Sequence, residues 1–249
     1  MVIDYPFTCK DLRRVAGECM RPGGIALTQR ALDMCSLSDN CFVADIGCGT
    51  GGTLTHLERS GIHRLVGIDA SNDMLSEALP QMISGRLIRG LAETLPFRNG
   101  SCDALFCECV LSLLDDKVRA VRESARVLKD GGYLVLSDLF DSGALEARAD
   151  DANSRGLRTT KGFLSKESLL GMLSQFGFSL VLWEEHEQFL REFVARLILA
   201  GECPTGLRCG QERRQQKEAE RRRISYFLLV ARKSPTPFQS VAREGDAVS

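Results

Sequence analysis

A run of glycines framed by carboxylates is the part of this sequence best equipped for chemistry. Asp45-Ile46-Gly47-Cys48-Gly49-Thr50-Gly51 closes the apolar stretch Cys41–Ile46 and leads into a helical segment from Thr53 to Arg59. Glycines at such a junction let the backbone turn through positive φ and let a ligand lie against amide groups facing it from the helix start. Gly47, Gly49 and Gly52 also satisfy the GxGxxG spacing of a dinucleotide site, for which an acid about 20 residues further on holds a ribose. Asp69 stands at that distance, after a second apolar run, and would accept ribose hydroxyls in either case. Asp45 separates the ligand classes by charge. A carboxylate just ahead of the turn repels a pyrophosphate, whereas S-adenosylmethionine (SAM) carries no phosphate and brings an ammonium that a carboxylate attracts. That one charge argument favours SAM over NAD.

The elements that must position these groups alternate in type. Strands fit 41–46, 64–69, 86–89, 102–107 and 133–137, with helices over 53–59, 72–83 and 115–129 between them, the last stopped by Asp130-Gly131-Gly132. Ser71 and Ser165 are placed to cap helices, the second over 165–176. Two later strands fit 178–182 and 224–231. The pattern predicts a Rossmann-like α/β fold: a seven-stranded, mainly parallel sheet with helices on both faces and an antiparallel last strand. Residues 1–40, with a helix over 25–34, would form an N-terminal helical cap over the donor site, with Arg21 to Thr28 at its entrance. Residues 41–232 would be the binding domain, with 139–164 and 187–223 as substrate-side or lid segments, and 233–249 a disordered tail.

At 249 residues, 44% hydrophobic and 26% charged, the chain can bury one large core. A formal net charge of -1 provides no field that would draw it to nucleic acid or an anionic membrane. No secretory signal or membrane-length apolar run is present, so a cytoplasmic protein is expected. Ten cysteines at irregular spacing, in a reducing compartment, read as free thiols rather than a disulfide framework.

Four blocks in order, DIGCGTG, GIDAS, GLAETLPFRNGSCDALFC and LKDGGYLVLSD, resemble the class I SAM-dependent methyltransferases, most closely the methyltransferase type 11 subgroup that includes the quinone-biosynthesis C-methyltransferases. The resemblance covers about residues 41–138. It implies that Asp45, Gly47, Cys48, Gly49 and Gly51 line the methionine side of SAM. By the same resemblance Asp69 and Ala70 lie at the ribose, Met74 covers the adenine, and Ala92 and Glu93 lie at its edge. Cys107 and Glu108 would face the ligand from the end of the fourth strand.

A methyltransferase with an unidentified, small-molecule acceptor is therefore expected, with no metal and no nucleic-acid partner. Methyl transfer is an in-line displacement that mainly needs alignment and exclusion of water. Glu108 and Asp138, at strand ends, are the candidate bases, and neither is convincing from sequence. Two alternatives stay open. Cys19, Cys107, Cys109, Cys203 and Cys209 could serve a thiol-using or arsenite-type methyltransferase, although Cys107-Glu108-Cys109 is too short for a CxxC zinc knuckle. The fold could also serve a non-catalytic SAM-binding sensor or assembly partner.

Overall fold

The computed structural model describes residue 19 and residues 21–81, 85–143, 163–199 and 224–235. In chain order these form α1 (Gly24–Met34), β1 (Phe42–Ile46), α2 (Gly52–Arg59), β2 (Arg64–Asp69), α3 (Asn72–Ala78), β3 (Arg86–Arg89), β4 (Cys102–Glu108), α4 (Lys117–Val127), β5 (Leu128–Asp141), α5 (Lys166–Gln175), β6 (Phe178–Glu185), α6 (Glu187–Leu199) and β7 (Ile224–Lys233). The seven strands make one sheet in the order β3-β2-β1-β4-β5-β7-β6. β1 to β5 pair in parallel, and β7 runs antiparallel to both β5 and β6.

Short unbroken apolar runs become central strands because both faces of the sheet are covered. Alternate residues of β1 and β4 enter two separate cores. Ala44, Ile46, Leu105 and Cys107 pack on the side of α4 and α5, while Val43, Ala104 and Phe106 pack on the side of α1 and α2. Between β6 and β7 the core is aromatic: Trp183 stacks on Phe227 at 4.7 Å between centroids, and Phe140 meets both rings edge-on.

Several boundaries differ from the sequence reading. The helix expected to reach Lys129 ends at Val127, and Leu128 already pairs with Cys102 as the first residue of β5. The residues read as a helix stop lie inside that strand instead. Gly131, at φ 78°, sits where the β4–β5 register shifts, so its left-handed conformation serves a bulge and not a helix cap. The helix expected to reach Ile83 is α-helical only to Ala78 and tightens into a 3-10 turn at Leu79–Gln81, where Pro80 can donate no backbone hydrogen bond. Residues 187–199, read as part of a lid segment, are the helix α6. The helix caps at Ser71 and Ser165 are made as read, through bonds from the amides of Met74 and Ser168. The N-terminal residues 1–18, most of the two expected lid segments (144–162 and 200–223, with Cys203 and Cys209) and the tail beyond 235 lie outside the described residues. Among the described residues no helix is long and apolar enough to cross a membrane.

The strand order reverses direction between β1 and β4: the chain leaves β1 toward β2 and β3, then returns to the other side of β1. In an open α/β sheet the crevice at the carboxyl ends of such strands is where a ligand fits. That crevice is where Asp69 and Glu108 end their strands and where Asp45 stands one residue before the end of its own.

Phe227 ties the antiparallel part of the sheet together. Phe227→Ala should cost about 3–5 kcal/mol of unfolding free energy, read as a lower urea midpoint with an unchanged denaturant slope.

Candidate active site

At the reversal point the chain encloses a cavity of about 410 Å³, of the size that holds a small organic molecule. The glycine turn forms one side. Gly47 (φ 68°) and Gly49 (φ 52°) are left-handed, and any Cβ on Gly47 would stand 2.2 Å from Val110. Glycine is therefore required there both by conformation and by the close approach of the loop after β4. The amides of Gly47 and Cys48 bond to Ile68 O, which holds the turn against the end of β2.

Asp69 is tied down by backbone. Its two carboxylate oxygens accept from Gly49 N (2.9 Å) and Ser71 N (2.8 Å), so it links the glycine turn to the cap of α3 while lining the cavity. Asp45 has a different situation. It is 3% exposed and, among the described residues, its carboxylate makes no hydrogen bond. Burial, and then the negative Glu108, push its pKa well up, with Arg21 opposing them. Glu108 is fully engaged: Arg21 Nη2 approaches at 2.8 Å, Thr53 Oγ1 at 2.8 Å and Thr28 Oγ1 at 3.2 Å, and Arg21 Nη2 also donates to Thr28.

Ten of the twelve residues read as ligand-binding line this cavity: Asp45, Gly47, Cys48, Gly49, Asp69, Ala70, Met74, Ala92, Glu93 and Glu108. Cys48 contributes backbone, because its thiol packs into the core, where it stands 2.8 Å from the position a Cβ on Gly67 would take. Gly51 does not line the cavity but, at φ 83°, turns the chain into α2. Cys107 is a correction. It precedes Glu108 by one residue in a strand, so its side chain points to the opposite face, into the core with Leu105. The thiol that does line the cavity from this region is Cys109, together with Cys19 from the N-terminal segment.

Asp138 is also displaced from the site. Its carboxylate accepts from Ser112 N (2.8 Å) and Leu139 N (2.7 Å) and sits beside Lys117, away from the cavity. Sequence reasoning missed Thr53, Leu113 and Asp115 on the cavity wall, and nothing in their local pattern marks them. Burial raises the pKa of Cys109 to about 12, although Tyr226 Oη lies 3.1 Å from its sulfur, and Cys107 is raised as well. Burial thus disfavours, at both positions, the thiolate that thiol chemistry requires. Among the described residues no three His, Cys, Asp or Glu side chains group to hold a metal ion.

The strand order, the glycine turn and the paired acids at the ends of β1 and β2 define the class: a Rossmann-like domain built for a nucleoside-bearing ligand. Comparison with known proteins narrows the class. Residues 44–136, somewhat over a third of the chain, match the family model described as a methyltransferase domain, in keeping with the resemblance to the class I methyltransferases. The chain is 42% identical over 83 residues to the 18S rRNA (guanine-N(7))-methyltransferase of Bos taurus, which is 32% of this chain and 29% of that one. It is 37% identical over 99 residues to the demethylmenaquinone methyltransferase of Thermotoga maritima, 39% of this chain and 43% of that one. The chain thus spans less than half the length of these curated relatives. A Haemonchus contortus phosphoethanolamine N-methyltransferase 2, solved in complex with SAM, has the same fold at a TM-score of 0.68 and 17% identity, covering 90% of this chain and 56% of that one.

The buried Asp45 generates a pH dependence. A carboxyl whose pKa is raised on folding binds more protons in the native state, so it subtracts stability as pH rises above about 3.9, where an unfolded aspartate ionises. Asp45→Asn should therefore be more stable than the parent at pH 7 in the absence of ligand, with the difference vanishing below about pH 4. Denaturant midpoints across that range check it, and a flat difference would show that Asp45 does not titrate on unfolding.

Proposed function

We propose that this chain binds SAM in the cavity between the glycine turn and the ends of β1, β2 and β4, and transfers its methyl group to a small-molecule acceptor. The observation that carries this reading is Asp45, a buried carboxylate without a hydrogen-bond partner among the described residues, next to a turn of left-handed glycines. A buried carboxylate at the cavity wall favours a ligand that brings a cation, and a ligand with an ammonium and a sulfonium does so. The same feature argues against NAD, since a pyrophosphate at this turn would meet the carboxylate of Asp45, with Asp69 also on the cavity wall.

The roles follow the positions. Backbone of Gly47, Cys48 and Gly49, with Asp45, would hold the amino-acid end. Asp69 has two oxygens, each bonded once to an amide, and each carboxylate oxygen has a further lone pair for a ribose hydroxyl. Met74, Ala92 and Glu93 would border the base. Bound SAM supplies an electrophilic methyl carbon on sulfur, and the protein's part is to align the acceptor with it and exclude water. No residue is needed as a base unless the acceptor is protonated and weakly acidic.

Among the described residues, the cavity lining holds the acidic Asp45, Asp69, Glu93, Glu108 and Asp115 against one guanidinium, that of Arg21, which is already paired. That balance suits a neutral or cationic acceptor better than a phosphate-bearing one. With a net charge of -1 the chain lacks the field that binds an RNA backbone, so a small molecule is the better fit of the acceptor classes named for its relatives, in a cytoplasmic setting that keeps the thiols reduced.

Calorimetric titration tests the donor site. SAM should bind with micromolar affinity and NAD should not. Asp69→Ala should weaken SAM by about 3 kcal/mol, roughly a hundredfold, from the loss of two charge-assisted bonds to the ribose. Because an arriving ammonium lowers the pKa of Asp45, binding should release protons, seen as an enthalpy that changes with the buffer's ionisation heat, and Asp45→Asn should abolish that release. No SAM binding by the unmodified protein would overturn the reading.

A further inference from the structure

The carboxylate of Glu108 is where three parts of the chain meet. Arg21, ahead of α1, donates to it from Nη2 at 2.8 Å, and Thr28, in the first turns of α1, donates at 3.2 and 3.4 Å to its two oxygens. Thr53, in α2, donates at 2.8 Å. Arg21 Nη2 also reaches Gly24 O at 3.4 Å, and all four side chains are buried. A catalytic base needs a lone pair directed at the reacting group. Here the carboxylate is occupied by its own protein.

What it holds is a wall of the cavity. Arg21 and Cys19 line the cavity from a segment that precedes α1, and that segment joins the helix through Gly23 and Gly24, both left-handed at φ 73° and 49°. Behind the joint, α1 is fixed independently. Leu27 and Ala31 are in the core, Gln29 bonds His56 at 2.9 Å, and Arg30 bonds Glu184 at 2.7 and 3.0 Å. Ahead of it, the pair with Glu108 is the polar attachment these distances give to Arg21 beyond α1. Consecutive positive-φ glycines between a packed helix and a clasped segment are the arrangement of a hinge.

We propose that Glu108 is a positioning residue for methyl transfer, one that clasps Arg21 and Thr28 so that the segment ahead of Gly23 stays closed as a wall of the donor cavity, and that proton abstraction is not its role. The inference rests on the donor reading above for what the cavity holds, but the clasp is testable without it. If the closed arrangement is the one competent to bind, apparent affinity falls in proportion to the closed fraction. Opening the clasp should therefore weaken the ligand, and because Glu108 and Arg21 act on Asp45 with opposite sign, a loss of affinity in both Glu108→Gln and Arg21→Met separates the clasp from their charge effect on Asp45.

The test is made on Glu108→Gln, Thr28→Val, Arg21→Met and Arg21→Lys, by calorimetric titration with S-adenosylhomocysteine and by amide hydrogen exchange. In the unmodified protein the ligand should slow exchange at residues 21–24. Glu108→Gln and Arg21→Met should bind roughly 10- to 100-fold more weakly and exchange faster at 21–24 without ligand, with exchange in β2, β5 and residues 27–31 unchanged. Thr28→Val should show the same pattern to a smaller extent, and Arg21→Lys, which keeps the charge, should recover part of the affinity lost in Arg21→Met. Parental affinity and exchange in Glu108→Gln overturn the clasp, and binding intact with turnover lost is the signature of a base, which overturns it equally. If Glu108→Gln fails to fold, Thr28→Val decides, and parental behaviour there overturns the proposal. Failure of the unmodified protein to bind S-adenosylhomocysteine sinks the donor reading instead. In that event, exchange at 21–24 in the unliganded variants still decides the clasp.

Discussion

Three carboxylates brought to the ends of neighbouring strands and then buried form the constraint around which this molecule is organised. Parallel pairing places Asp45 beside Gly67 and Phe106, and so brings the ends of β1, β2 and β4 to one crevice. Like charges that close in a water-poor space repel, and each also loses hydration. Each is compensated by a different means. Asp69 receives two backbone amides, one from the glycine turn and one from the cap of α3. Glu108 receives a guanidinium and two hydroxyls. Asp45 receives neither among the described residues, and burial, followed by the charge of Glu108, raises its pKa.

These solutions interlock. The amide that satisfies Asp69 belongs to Gly49, so the glycine turn is held in shape by the acid it faces. The hydroxyl from Thr53 that satisfies Glu108 belongs to the helix that the turn opens, and the guanidinium comes from the segment ahead of α1. Anything that moves one carboxylate is therefore felt by the turn, by α2 and by the N-terminal wall.

Much of this was legible in the sequence, and the reasons differ by residue. The glycine turn and the acids at strand ends are local signals: a tight run of glycines after an apolar stretch has few other structural uses, and a strand's last residue emerges at the sheet's edge. The seven-strand layout was legible because apolar runs and capping serines punctuate it. The Asp-Gly-Gly at 130–132 misled because a glycine pair after a charged helix signals a cap, and only the pairing of Leu128 with Cys102 shows the strand already under way. Cys107 was misplaced by one residue of strand phase, an error that reverses a side chain's face. The clasp was invisible because Arg21, Thr28, Thr53 and Glu108 lie up to 87 positions apart, from Arg21 to Glu108, and carry no shared spacing. Asp138, read as a possible base, has its carboxylate committed to the amides of Ser112 and Leu139.

The loss of both candidate bases sharpens the chemistry that remains. Asp138 holds the turn after β4 and Glu108 is bonded to three side chains, so among the described residues neither of these carboxylates is free for proton transfer. A site of this kind accelerates by geometry: it brings an acceptor to an activated methyl carbon and keeps water away. Such a site works on acceptors whose attacking atom already carries its lone pair at neutral pH. An acceptor that must lose a tightly held proton would need a base supplied by residues beyond those described, or by itself. On the clasp proposed for Glu108, alignment of the acceptor and dryness of the site depend on Arg21 staying against that carboxylate.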